Sequence, residues 1–191
     1  MTGRAKYIKK AKAKYESYNT ADWTKFGFDK HSGGYIVIHK GHKFDPETGE
    51  YEIKTANILA NNGYQIEMMD ESSFDKPQYD VKVNDIPSEI KVISGYRNIH
   101  KRAEKAAIQG ARRVIYYINF NNDREMFKRF DNVYKTVDNI NEIWYIKGKR
   151  LHFYNQKTDN PLLRNRGLTG VQEGRTLSPT FEFRRKDKSY F

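Results

Sequence analysis

Apolar and polar positions alternate at two different periods along this chain, and the switches between periods mark its elements. The run Tyr35-Ile36-Val37-Ile38-His39 follows the breakers Ser32-Gly33-Gly34 and has the β-branched, aromatic composition of a strand. Residues 64–68 form a second short strand. Val81 and Val83 alternate with polar neighbours, Asn84-Asp85 supplies turn chemistry, and Ile86, Ile90 and Val92 open another β-rich run. Residues 79–92 therefore predict a hairpin. Residues 114–118 are continuously apolar, which suits the centre of a sheet. Two further strands are predicted at 143–146 and 151–154, joined by Lys147-Gly148-Lys149.

Between these runs the period becomes helical. Tyr7, Ile8, Ala11 and Tyr15 fall at near-helical spacing within residues 4–15, which hold six basic residues and no acid. A helix is expected from Phe44 to Gly63, with Asp45 as N-cap, Pro46 in the first turn and Gly63 past the end. On it Glu52, Ala56 and Leu59 stand at i, i+4 and i+7 and share one stripe, with Ile53 and Ala60 beside them. Glu52 thus sits at the edge of the core-facing side, where an unpaired carboxylate is costly. Asn98 is placed to cap a second helix bearing Ile99, Ala103, Ala106 and Gly110 on one face, and a third is expected over about residues 124–138. The pattern as a whole predicts an α/β fold, a mixed sheet flanked by helices.

Charge changes this picture. The 191 residues carry 35 Lys and Arg against 24 Asp and Glu, a net charge of +11. Residues 1–43 hold 10 basic against 3 acidic groups, residues 44–154 hold 17 against 17, and residues 155–191 hold 8 against 4. A neutral middle between two basic ends suits a folded body whose arms meet a polyanion, nucleic acid above all. This layout divides the chain into a basic amino-terminal arm with a strand (1–43), a central domain (44–154) and a basic, Gly- and Pro-interrupted tail (155–191) with one strand near 181–183. No cysteine is present, which excludes disulfides, thiolate zinc sites and a cysteine nucleophile. No apolar run approaches the roughly 18 residues of a membrane span, and the amino terminus lacks a signal-peptide core.

Candidate chemistry gathers on the hairpin. Asp80 opens its first arm, while Glu89 and Lys91, two apart, share one face of the second. Two carboxylates and an ammonium at a hairpin end suit a hard cation, and a lysine there can orient a water or offset phosphate charge. Alone, so short a motif is as readily a solvated sheet face. Gln109 lies near the end of the second helix, whose other faces carry Arg97, Lys101, Arg102 and Lys105. His31, His39 and His42 invite an acid–base or metal role, but none has a partner at helical ligand spacing, and solvated loop histidines are expected.

The order helix, strand, strand, strand, helix, strand, with Glu52 on the first helix and Asp80, Glu89 and Lys91 on the hairpin, resembles the PD-(D/E)xK nuclease superfamily, whose fold is restriction-endonuclease-like. Within it, residues 50–120 most resemble the nuclease domains that end contact-dependent growth-inhibition toxins. The matching runs are Glu52-x₃-Ala56-x₂-Leu59-Ala60-x₂-Gly63-Tyr64, Tyr79-Asp80-x₈-Glu89-Ile90-Lys91, and Asn98 through Ala106 to Gln109-Gly110-Ala111. Tyr79 departs from the pattern, standing where the name-giving proline would be. The first 43 and last 37 residues carry no part of the resemblance. The resemblance implies a metal-dependent endonuclease, acting mainly on tRNA in such toxins, with related domains in phage minor head proteins. It implies that Asp80, Glu89 and Glu52 serve Mg²⁺ or Mn²⁺, with the Ile90 carbonyl as a further ligand. It also implies that Lys91 positions the attacking water and that Gln109 contacts the lysine or a phosphate. Expected partners are nucleic acid, RNA ahead of DNA, and a cognate immunity protein if the domain is a toxin. The expected site of action is the cytoplasm, after delivery in a toxin or phage particle. The alternatives are a catalytically silent nucleic-acid-binding or virion module, a DNase of the same fold, and a metal-independent ribonuclease built on the histidines.

Overall fold

In the computed structural model, residues 3–72 and 78–154 are described. They belong to two units. One holds the described residues of Met1–Lys76 and Asp80–Ile86, the other those of Pro77–Tyr79 and Pro87–Thr176. The expected tail, 155–191, lies outside the described residues. Four helices and eight strands are described, with parallel and antiparallel pairing, and the class is α/β as the patterning predicts.

The first unit begins with helix α1 (Gly3–Ser17), then strands β1 (Trp23–Phe28) and β2 (Tyr35–His39), helix α2 (Gly49–Asn61), and strands β3 (Gln65–Met68) and β4 (Val81–Val83). β1 pairs antiparallel with β2, with an irregularity between Lys25 and Gly27. β2 pairs parallel with β3, and β3 antiparallel with β4. A parallel neighbour needs a crossover, which α2 supplies. Tyr35, Ile36, Val37 and Ile38 are all buried. Four successive buried residues mean that both faces of β2 are covered, because strand side chains alternate between faces.

Local chemistry sets the ends of α2. The Asp45 carboxylate accepts from the Glu47 and Thr48 amides at 2.8 and 2.9 Å. Asp45 therefore closes a turn before the helix and does not cap it; the helix starts at Gly49, later than the sequence suggests. At the other end Gly63 adopts φ +88, with Gly63 N–H on the Ala60 carbonyl (2.9 Å) and Tyr64 N–H on the Leu59 carbonyl (3.1 Å). That is a Schellman ending, open to glycine because it needs positive φ.

Residues 3–43, expected as an appended arm, are built into this unit. Ala11 is fully buried, the Tyr7 hydroxyl donates to the Gly63 carbonyl at 2.8 Å, and Lys14 pairs with Glu67 at 2.7 Å and with Asp85. Some of the basic residues of this helix serve as its anchors, Lys14 through Glu67 and Asp85 and Arg4 through the His31 carbonyl.

The second unit alternates strands and helices: β5 (Ile86–Ile93), a 3-10 turn at Tyr96–Asn98, α3 (Ile99–Ile108), β6 (Arg113–Ile118), α4 (Asp123–Thr136), β7 (Glu142–Lys147) and β8 (Arg150–Tyr154). β5, β6 and β7 pair in parallel, and β8 returns antiparallel to β7. Ile93, Val114, Tyr116 and Ile118 pack with Ile99, Ala103 and Ala106 of α3 and with Met126, Phe127, Phe130 and Val133 of α4. The Tyr116 hydroxyl, fully buried, donates to the Ile99 carbonyl at 2.9 Å, and that of Tyr154 to Asp131 at 2.7 Å. Buried hydroxyls are tolerated because each has such a partner.

Candidate active site

Asn84 and Asp85 both adopt positive φ, 50 and 66. This pair of left-handed residues makes the two-residue turn that joins strands of right-handed twist, and Asn and Asp tolerate it better than most residues. β4 and β5 therefore follow one another directly, as the sequence predicts. The turn is tied down locally. The Asn84 side chain accepts from Gln65 N–H at 2.8 Å, and Asp85 pairs with Lys14.

On β5, Glu89 and Lys91 stand opposite Val114 and Tyr116 of β6. Paired residues of a parallel ladder share a face, so both side chains lie on the face whose apolar members pack under α3 and α4. Glu89 is fully buried and Lys91 is 17% exposed at its side chain. Their ion pair brings the ammonium to Glu89 Oε1. A carboxylate in so dry a place persists only if charge and hydrogen bonds compensate its lost hydration. Gln109 sits at the C-cap of α3, where Gly110 at φ +83 ends the helix. Its side-chain amide donates to the Gln78 carbonyl at 3.2 Å. Arg97, Lys101, Arg102 and Lys105 are all exposed on the turn and α3, and none has an ion-pair partner among the described residues.

Glu52 and Asp80 belong to the first unit. Asp80 is half-buried just before β4, and its carbonyl accepts from Met69 N–H at 2.9 Å. Glu52 is buried, as its place on the stripe with Ala56 and Leu59 suggests. Its partner is one the sequence did not reveal. The His42 side chain is fully buried, with Nδ1 at 3.0 Å from the Met69 carbonyl and 2.8 Å from Glu71 Oε1. Nε2 lies 3.7 Å from Glu52 Oε2. That is longer than a hydrogen bond, so the attraction is between charges across a dry gap. Burial alone would lower the basicity of the imidazole; Glu52 and Glu71 outweigh it and raise the pKa to about 9. His42 is thus a buried cation at neutral pH and not the solvated loop residue expected.

The other histidines do less. His31 is exposed, its N–H donating to Asp29 at 2.8 Å and its carbonyl accepting from Arg4. His39 Nδ1 accepts from Gly41 N–H at 3.1 Å. Among the described residues, no three His, Asp or Glu gather into a group able to hold a metal. No described helix is long and apolar enough to cross a membrane.

No family model, curated protein or solved structure matches the chain.

Proposed function

We propose that the protein is a metal-dependent nuclease that hydrolyses phosphodiester bonds, with RNA, and tRNA in particular, ahead of DNA. The observation that carries this is the fully buried Glu89 held against Lys91 two residues along β5. A buried charge pair of this kind seldom raises stability over an apolar pair of similar volume, so its presence is better explained by chemistry. The RNA preference follows the likeness to toxin nucleases. Action in the cytoplasm, delivery by a toxin or phage particle, and an immunity protein as inhibitor belong to the same likeness.

The donor chemistry fits Mg²⁺ or Mn²⁺. Glu89 and Asp80 offer hard carboxylate oxygens, and one or two carboxylates plus water and phosphate oxygens would complete a shell, as is usual for magnesium. The chemistry such an ion supplies is polarisation of the scissile phosphate and a lowered pKa of water. Lys91 offsets developing charge on the phosphate and orients the attacking water through its ammonium protons. Glu52 orients the water shell. Gln109 donates an amide hydrogen bond from the end of α3, and Arg97, Lys101, Arg102 and Lys105 contact phosphates along the strand.

A metal-independent ribonuclease is disfavoured by the histidines themselves. The imidazole of His42 is buried between two acids, and that of His39 already accepts a backbone hydrogen bond.

The test is incubation of the full chain with total RNA, plasmid and single-stranded DNA, with Mg²⁺ and with excess EDTA. Cleavage that requires Mg²⁺ and falls in Gln109→Ala, whose exposed side chain leaves folding intact, supports the proposal. Cleavage undiminished in EDTA, or none in any buffer from folded protein, refutes it; the second result leaves a binding module.

A further inference from the structure

α1 carries a cationic surface of a different kind from that of α3. One side of α1 is anchored: Ala11 is buried, Tyr7 donates to Gly63, Arg4 donates to the His31 carbonyl at 3.1 Å, and Lys14 bridges Glu67 and Asp85. At about 100° per residue, Lys6 and Lys9 point away from that anchored side and Lys10 lies on its flank, beside Lys14. All three are exposed, and none has an ion-pair partner among the described residues. Like charges at i,i+3 and i,i+4 destabilise a helix, whereas an acid at that spacing relieves them. The chain uses that relief elsewhere, in Lys12–Glu16 at 3.5 Å and Lys54–Glu50 at 2.7 Å. At Lys6, Lys9 and Lys10 it does not. The repulsion is tolerated because tertiary anchors hold the helix, and the outcome is a rigid ridge of three compact, strongly hydrated charges within about one turn.

We propose that Lys6, Lys9 and Lys10 form a preorganised contact for the phosphate backbone of nucleic acid, additional to the α3 surface. Point charges on a fixed helix read phosphate and not base sequence, so the contact adds affinity without specificity. Fixing the helix beforehand reduces the ordering entropy that a flexible basic arm would lose on binding. The inference rests on the proposed function only in its choice of nucleic acid as partner.

The test measures binding in EDTA, so that turnover plays no part. Fluorescence anisotropy of labelled RNA and duplex DNA is followed against salt for wild type, for Lys6→Gln/Lys9→Gln/Lys10→Gln, and for the corresponding triple Lys→Arg variant. The neutral variant should weaken binding about tenfold at low salt and reduce the slope of log Kd against log salt by about two to three. The arginine variant should keep the wild-type slope. An unchanged slope in the neutral variant, with its helical circular dichroism intact, overturns the proposal. If the neutral variant does not fold, the arginine variant still decides, because a loss of slope with charge retained would show that charge is not what binds. Lysine-dependent binding to vesicles of anionic lipid, with nucleic-acid binding unaffected, also overturns it. Lysine-dependent nucleic-acid binding without cleavage in Mg²⁺ would refute hydrolysis and leave this contact standing.

Discussion

Two buried acids, Glu52 and Glu89, have different cations for company. Glu89 is fully buried and its ammonium partner lies two residues along the same strand. Glu52 faces an imidazole brought from ten residues upstream, itself shared with Glu71 from the loop after β3. The first pair is set by the two-residue period of a strand, so its geometry is nearly guaranteed once β5 forms. The second depends on a loop, a helix and a strand end arriving together. Against the burial that would lower it, Glu52 and Glu71 raise the pKa of His42 to about 9, so the second pair can lose its charge within reach of ordinary buffers. The difference gives one pair set by local strand geometry and one that depends on tertiary assembly and on pH.

The largest effect should follow from breaking the strand pair. Lys91→Met removes the ammonium from a carboxylate with no access to bulk water. We expect a loss of about 3–5 kcal/mol by urea unfolding, together with abolished cleavage. Glu89→Gln/Lys91→Met, which removes both charges, should be markedly more stable than Lys91→Met alone. A single variant as stable as the double would show that the pair is not a coupled buried unit.

Next in size is His42→Leu, which fills the space but leaves Glu52 and Glu71 facing one another across it. The expected loss is about 2–3 kcal/mol, smaller because the Glu71 side chain is 28% exposed and can turn to water. Adding Glu71→Gln should recover part of that loss. Independent, additive effects in a double-mutant cycle would separate Glu71 from the histidine.

The same histidine makes stability depend on pH. Its folded pKa of about 9 lies above the ordinary histidine value of about 6.5, so the folded state binds the proton more tightly. Its contribution is complete below the lower value and is lost as pH rises through the upper one, a loss on the order of 3 kcal/mol. Denaturant midpoints measured across that window should fall for wild type and flatten in His42→Leu. A wild-type midpoint that holds steady there would remove the buried cation.

What the sequence revealed follows from the range of each interaction. β2, β6, the two-residue turn and the Glu89–Lys91 pair are written in contiguous residues, where period and turn chemistry suffice. β1 was missed because Trp23, Phe26 and Phe28 lie beside Gly27 at a register irregularity, which blurs strict alternation. The start of α2 was misplaced because Asp45 has the same capping chemistry in a turn as at a helix end. Glu52 could be placed on a buried face by period alone. His42 could not, because neither of its acids lies at a helical or strand spacing from it. A histidine followed by an aromatic, here Phe44 at 4.6 Å between ring centres, was the one local hint of burial.

The smallest stability effect belongs to Gln109, which marks the limit of the comparison because its polar group is not buried. Its amide makes an exposed hydrogen bond to the Gln78 carbonyl. Water can replace such a bond, so Gln109→Ala should change stability by no more than about 0.5 kcal/mol. Glu52 and Glu89 cannot be altered without disturbing the core, so their loss confounds folding with chemistry. Gln109 separates the two. If it donates to substrate phosphate as proposed, turnover should fall about tenfold, the worth of one hydrogen bond, in a protein that melts like wild type. A variant that loses stability and keeps its turnover would make Gln109 a strut holding residue 78 against α3, with no part in the chemistry.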